Sequence, residues 1–211
     1  MIIAVDGPAA SGKGSIARAL AAHYGLPHLD TGLLYRAVGL SVARAGGNAD
    51  DPHDAVAACD FPESLLMDTE LRNEASGALA SRVSIHPQVR AALIQRQRDF
   101  AMQPGGAVLD GRDIGTVIAP GASAKLFVIA SPEVRADRRL NEMHRNGMEA
   151  DRDAIIADIR ARDDRDMNRD HAPLKQAEGA DLLDTSNLTI DAAVRQAISL
   201  VDAQLDRRSK E

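Results

Sequence analysis

Met1-Ile2-Ile3-Ala4-Val5-Asp6 is followed directly by Gly7-Pro8-Ala9-Ala10-Ser11-Gly12-Lys13-Gly14-Ser15, and then by Ile16-Ala17-Arg18-Ala19-Leu20-Ala21-Ala22-His23-Tyr24, which stops at Gly25. A short apolar run, a glycine-rich turn carrying a lysine and a helical stretch together read as strand, loop and helix. This is the context that a phosphate-binding P-loop requires. Glycines let consecutive backbone N–H groups curl round an anion without Cβ clashes. The helix N-terminus adds roughly half a positive charge and Lys13 a full one. The spacing G-x-x-x-x-G-K is met, but Gly14 stands where the general pattern has Ser or Thr, and the hydroxyl arrives one residue later as Ser15.

Working outward, short apolar runs alternate with helical stretches. Leu26–Asp30 reads as a second strand. Asp30-Thr31-Gly32 then opens a helix from about Leu33 to Ala45, closed by Gly46-Gly47. Asp51-Pro52 starts a short helix over 52–59, and Pro87 another to about Met102 with Val89, Leu93 and Phe100 on one face. Residues 60–85 give no clear period. Strands follow at Ala107–Asp110, Lys125–Ala130 and Asp181–Thr185. Helices are expected over about 133–146, 151–168 and 190–205. Such alternation predicts βαβ units and a parallel sheet, with ligands beyond the carboxyl ends of its strands. The P-loop, Asp30-Thr31, Asp110-Gly111-Arg112-Asp113 and Ser131 fall on that rim. A crossover over residues 36–100 is longer than one helix needs and reads as an insertion. The arginine-bearing stretch 138–153, with Gly147, reads as a short mobile flap.

The 211 residues are enough for one substantial core. A net charge of −6 argues against a nucleic-acid binder held by phosphate contacts. Cys59 is the single cysteine, so an intrachain disulfide framework is excluded. Six histidines lack ligand spacing, and no run of about 18 apolar residues or signal segment is present. A cytoplasmic protein without membrane or nucleic-acid partners is the expectation.

Two further constellations carry chemistry. In Arg160-Ala161-Arg162-Asp163-Asp164-Arg165-Asp166-Met167-Asn168-Arg169-Asp170, helical spacing places Ile155, Ile159, Arg162, Asp166 and Arg169 on one stripe. A stripe that begins apolar and ends as Arg and Asp points charges inward. Such charges need a buried carboxylate or a bound phosphate. The alternative is an intrahelical ion-pair ladder using Asp163 and Asp164. The second is Asp110-Gly111-Arg112-Asp113 at a strand end: an aspartate beside a P-loop commonly holds Mg²⁺ through water, and Arg112 suits a second phosphate. A tight turn that uses Asp and Gly for conformation is the alternative there. No Ser–His or Cys–His pair is apparent. A phosphate acceptor is already ionised and needs no general base, whereas a hydroxyl acceptor would call for one, with Asp113 or Asp30 available. A nucleotide-dependent switch is a third class, but no guanine-reading Asn-Lys-x-Asp sequence occurs.

These residues resemble the bacterial cytidylate kinases, nucleoside-monophosphate kinases of the P-loop class. The likeness runs through Asp6-Gly7-Pro8, Ser11-Gly12-Lys13-Gly14-Ser15, Leu29-Asp30-Thr31-Gly32, Tyr35-Arg36, Ala80-Ser81 and Pro87-Gln88-Val89-Arg90. It continues through Asp110–Val117, Arg162–Asp166, Asn168-Arg169 and Ala172-Pro173-Leu174. Gly14 is itself usual in monophosphate kinases. The resemblance implies one kinase domain over 1–211, a three-layer α/β/α fold on a five-stranded parallel sheet. The core would take about 1–35, 101–137 and 154–211, a monophosphate-binding insert about 36–100 and a lid about 138–153. It implies transfer of the ATP γ-phosphate to CMP or dCMP by a monomer. Gly7, Pro8, Ala9, Ala10, Ser11, Gly12, Lys13, Gly14 and Ser15 would hold ATP, and Ser15 and Asp110 would hold Mg²⁺, largely through water. Arg36, Arg112 and Arg169 would take the CMP phosphate, Arg162 and Asp166 the ribose, and Ser81, Arg90 and Asp113 the cytosine edge. Thr31, Asp110 and Gly111 would line that site. Arg138 or Arg139 would close on the transferring phosphate, Arg139 being counted with Lys13, Arg112, Arg162 and Arg169 as catalytic. Residues 60–80 look shorter than the family's insert, without its strand hairpin.

Overall fold

The computed structural model describes residues 1–145 and 147–209. The expected end, at Asn146, of the helix over about 133–146, and Lys210 and Glu211 of the expected domain, lie outside them. The chain divides into two compact units, Met1–Leu29 with Ala101–Glu211, and Asp30–Phe100.

The larger unit is built on a five-stranded sheet in the order β2-β3-β1-β4-β5. Its strands are β1 (Ile2–Asp6), β2 (His28–Asp30, whose last residue begins the other unit), β3 (Ala107–Gly111), β4 (Ala124–Ile129) and β5 (Asp181–Asp184). Pairings β1–β3, β1–β4 and β4–β5 are parallel, with Asp6 opposite Gly111 on one side and Phe127 on the other. The apolar runs have no alternation because parallel strands are buried on both faces: Ile3, Ala4, Val5, Val108 and Leu109 are at most 1 % exposed. Helices α1 (Lys13–Tyr24) and α8 (Ile190–Arg208) cover one face, packing Ile16, Leu20, Ala197 and Val201 on Ile3, Val5, Leu126 and Leu183. Thr189 caps α8 by accepting the N–H of Ala192, as an N-cap threonine does. The order places β1 at the centre, so the loop leaving it opens beyond the carboxyl ends of its neighbours. Helices α6 (Pro132–Arg145) and α7 (Arg152–Asn168) follow β4 as an antiparallel pair. The stretch read as a flap is thus helical up to Arg145, with Arg152 bonded to Asp137 and Arg160 to Glu133 between the two helices.

The smaller unit is helical: α2 (Thr31–Arg44), α3 (Pro52–Ala57), two 3₁₀ turns (Glu63–Met67 and Thr69–Arg72), α4 (Glu74–Val83) and α5 (Pro87–Ala101). The unreadable residues 60–85 are therefore turns and a helix, and a strand hairpin is absent among the described residues. Asp51 caps α3 and Asn73 caps α4 through their side-chain oxygens. Helix α2 lies so close to α4 that a Cβ on Gly39 would stand 2.6 Å from the Cβ of Leu79. On α5 the buried stripe is Val89, Leu93 and Gln97; the expected Phe100 is only half-buried. Gln97 takes the inner position because its amide donates to the Leu93 carbonyl at 3.1 Å. Among the described residues no helix is long and apolar enough to cross a membrane.

Candidate active site

The loop from Gly7 to Gly12 joins the central strand to α1. A Cβ on Gly7 would collide with the Val128 carbonyl, so only glycine lets the loop leave β1 so close to β4. Ala10 and Gly12 both take left-handed φ, 58° and 91°, and the turn delivers the N-terminus of α1 into the loop's centre. Ser11 is fully buried and its Oγ has no hydrogen-bond partner among the described residues. An orphaned hydroxyl in a glycine-rich turn that runs into a helix N-terminus fits an anion such as a phosphate oxygen.

Asp110, at the end of β3, lies beneath this loop. Its Oδ2 is 4.0 Å from Lys13 Nζ, and a Cβ on Gly14 would stand 3.6 Å from the same oxygen. The other oxygen, Oδ1, accepts from His28 Nε2 at 2.8 Å. The two carboxylate oxygens thus face different ways, one toward His28 and one toward the loop. The buried Asp110 carboxylate and the exposed Ser15 hydroxyl, which accepts from Arg18 Nη2 at 3.3 Å, are hard oxygen donors of the kind that Mg²⁺ takes alongside phosphates and water.

After β3 the chain enters a π-helical turn, Ile114–Ile118, closed by the Ala119 N–H on the Ile114 carbonyl at 2.7 Å. Its first two N–H groups donate to Asp6, Ile114 N to Oδ1 and Gly115 N to Oδ2, each at 2.8 Å. Asp6 is 3 % exposed, and burial pushes its carboxyl up to about 7 despite those two bonds. Asp6 thereby fixes the turn that carries Arg112 and Asp113. Asp113 is buried.

Arg112 reaches α7. Its Nε donates to Asp166 Oδ2 at 2.8 Å, and its Nη1 to the Gly111 carbonyl at 3.3 Å. Asp166 is 4 % exposed. Burial by itself would raise its pKa; Arg112, Arg162 and Arg169 together outweigh that and hold it below the usual carboxylate range. Three guanidiniums from two distant segments therefore share the field of one carboxylate. Arg169 donates through Nε and Nη2 to the Ala172 carbonyl at 2.8 and 2.5 Å, across a residue with left-handed φ of 51°. Ile155, Ile159, Arg162 and Asp166 face inward along α7, whereas Arg169, expected on the same stripe, is the extended residue that ends the helix and is only half-buried. Asp163 does not serve a ladder within α7; it pairs with Arg135 of α6 at 2.5 Å.

On α6, Arg138 Nη1 donates to the Ser11 carbonyl at 3.2 Å and to Thr185 Oγ1 at 3.0 Å. Arg139 lies 3.9 Å from Glu142. In the smaller unit Thr31 is the first residue of α2 and is buried, and Asp30 caps that helix on the Gly32 N–H at 3.0 Å. Arg36 donates to the carbonyls of Leu71 and Asn73 at 2.7 and 2.9 Å. Arg90 lies over the Tyr35 ring at 5.4 Å and Ser81 is buried. Sequence reasoning gave no role to Asp6, His28, Arg135 or Thr185. Only Asp6 left a trace, as an acid closing an apolar run.

A family model described as cytidylate kinase matches residues 3–203. Among relatives, the cytidylate kinase of Rhodopseudomonas palustris strain TIE-1 is 56 % identical over 204 residues, 96 % of both chains. That of Caulobacter sp. strain K31 is 56 % identical over 95 % of this chain and 94 % of its own. The fold is also that of a gluconokinase from Sinorhizobium meliloti 1021, with a TM-score of 0.53 at 17 % identity, covering 98 % of this chain and 94 % of that one. The family model spans nearly the whole chain, including the P-loop, the Asp110–Asp113 turn and the Arg162–Arg169 stripe, and the chain belongs to the cytidylate kinase family.

Proposed function

We propose that this chain transfers the γ-phosphate of ATP to CMP or dCMP, giving ADP and CDP or dCDP. The observation that carries the reading is the presence, in one unit, of a backbone phosphate loop and of Arg112, Arg162 and Arg169 gathered round Asp166. An oxygen of the CMP phosphate attacks the γ-phosphorus as the bond to the ADP oxygen breaks. That oxygen is ionised at neutral pH, so no side chain removes a proton, and catalysis is orientation and charge neutralisation. Gly7 to Ser15 hold the ATP phosphates through backbone N–H groups, with Lys13 as the fixed charge. Arg36, Arg112 and Arg169 take the acceptor phosphate, Arg162 and Asp166 the ribose, and Arg139 the transferring group. Ser81, Arg90 and Asp113 read the cytosine edge, and Thr31, Asp110 and Gly111 complete the set assigned to CMP. Asp110 and Ser15 would hold Mg²⁺, which would supply charge neutralisation on the β- and γ-phosphates.

The helical insert, the segment 138–153 as a lid, a monomeric state and a cytoplasmic location belong to the same proposal. The net charge of −6 supports the absence of a nucleic-acid partner. A coupled ADP-release assay against CMP, dCMP, UMP, AMP and GMP tests it. Preference for CMP and dCMP is expected. Equal turnover of AMP or UMP sinks the cytidine assignment, and a pH–rate limb set by a carboxylate would point instead to a hydroxyl acceptor.

A further inference from the structure

Arg135 takes no part in the transfer just described, yet it is only 2 % exposed. Its guanidinium is used on every side. Nη1 and Nη2 meet Asp163 Oδ1 and Oδ2 at 2.9 and 2.5 Å, Nε donates to the Ala130 carbonyl at 2.9 Å, and Nη1 also to the Ala9 carbonyl at 3.2 Å. Those partners belong to three segments: α7, the end of β4 and the P-loop. Ala9 precedes Ala10, a non-glycine residue at φ 58°, a conformation that persists only when its surroundings impose it. Asp163 follows Arg162 and stands one helical turn before Asp166.

Stability gives this pair little reason to exist. Desolvation largely offsets the attraction of a buried ion pair, and well-packed apolar residues in its place are often neutral or better. A bidentate, planar fork does fix geometry. We propose that Arg135 and Asp163 are positioning residues that set the register between the P-loop and the arginine-bearing end of α7, and so between the two phosphates that must meet in line. This rests on reading the α7 cluster as the acceptor-phosphate site. A misplacement of about 1 Å in such a site costs on the order of 10²-fold in rate.

The test is the double variant Arg135→Met/Asp163→Leu, which removes both charges together. It is expected to melt near the wild type and to bind ATP alone and CMP alone within about threefold by calorimetry. Its kcat should fall at least about 30-fold. Its affinity for a bisubstrate inhibitor, adenosine and cytidine joined by five phosphates, should fall by a similar factor. Unchanged kcat and bisubstrate affinity overturn the proposal, as does an equal loss of all three affinities. Should the double variant not fold, Asp163→Asn keeps the shape and is read by the same three binding measurements. Wild-type turnover of CMP separates the two levels. Its absence defeats the functional reading, whereas normal wild-type turnover beside an unaffected double variant defeats only the register.

Discussion

The two phosphate sites proposed for the larger unit are built from opposite materials. The P-loop is backbone: nine consecutive residues, two left-handed positions, and outward carbonyls of Ala9 and Ser11 held by Arg135 and Arg138. The α7 cluster is side chain: Arg112 comes from a turn more than fifty positions before Asp166, Arg162 from the inward face of α7, and Arg169 from the extended residue that ends it. The backbone of a cradle needs no counter-charge, because amide dipoles are neutral overall, and only its one cation, Lys13, has a carboxylate, Asp110, at 4.0 Å. A cluster of guanidiniums needs one, and Asp166 supplies it, so a ligand phosphate must compete with a carboxylate already in place. The first site is fixed by conformation, the second by charge balance.

Arg112→Ala strikes the second site hardest. It removes the charge proposed above to hold the acceptor phosphate and takes from Asp166 its direct partner. A loss of at least about 10²-fold in kcat/KM for CMP is expected, with the ATP affinity measured alone little changed. An unchanged kcat/KM would reject the role given to Arg112. A parallel loss of ATP affinity would erase the contrast between the two sites.

That contrast also explains what was legible. The P-loop could be read because all its parts are neighbours in sequence. The α7 stripe could be read because helical period alone turns Ile155, Ile159, Arg162 and Asp166 to one side; Arg169, just past the helix end, lies outside that period. That the sheet is parallel follows once strands and helices alternate, whereas its order came only with the structure. What was hidden is what tertiary contact decides. Asp6 looks like the end of a strand until its two donors arrive from Ile114 and Gly115, over a hundred residues on. Those donors open a π-helical turn, whose period the ordinary helix and strand templates do not contain. Arg135 is one arginine among many on α6, and only packing selects Asp163 as its partner. In the smaller unit, residues 60–85 fold as two short 3₁₀ turns and the ten-residue α4, with Arg36 donating to the carbonyls of Leu71 and Asn73 at the end of the second turn; turns that short leave no hydrophobic period to find.

A smaller effect is expected where specificity, not charge balance, is at stake. Asp113 is buried beside Arg112 but belongs to the base-reading group proposed above. Asp113→Ala should shift the ratio of CMP to UMP turnover toward UMP by about tenfold, the discrimination of one missing hydrogen-bonding partner, while kcat for CMP falls less than in Arg112→Ala. A constant ratio with a uniformly lower rate would move Asp113 from base recognition to charge balance.

The smallest effect distinguishes the two buried carboxylates by pH. Asp6, raised from 3.8 to about 7, binds a proton in the folded state that the unfolded chain has already released. Its contribution is complete below about pH 4 and is lost as the pH rises toward 7. Asp166, held low by arginines, behaves oppositely: its contribution is present above the ordinary carboxylate pKa and is lost as the pH falls through it. Asp6→Asn cannot titrate, so its stability should vary less across pH 4–7 than that of the wild type. The difference reaches about 1.4 kcal/mol per pH unit at the steepest, or roughly 3–6 °C in melting temperature per unit for a chain of this size. Asparagine also turns an N–H₂ toward one of the two backbone donors, which lowers the melting temperature at every pH. The slope, not the offset, is therefore diagnostic. Parallel melting curves for the two proteins across pH 4–7 would mean that Asp6 is ionised throughout, its two backbone N–H groups outweighing its burial.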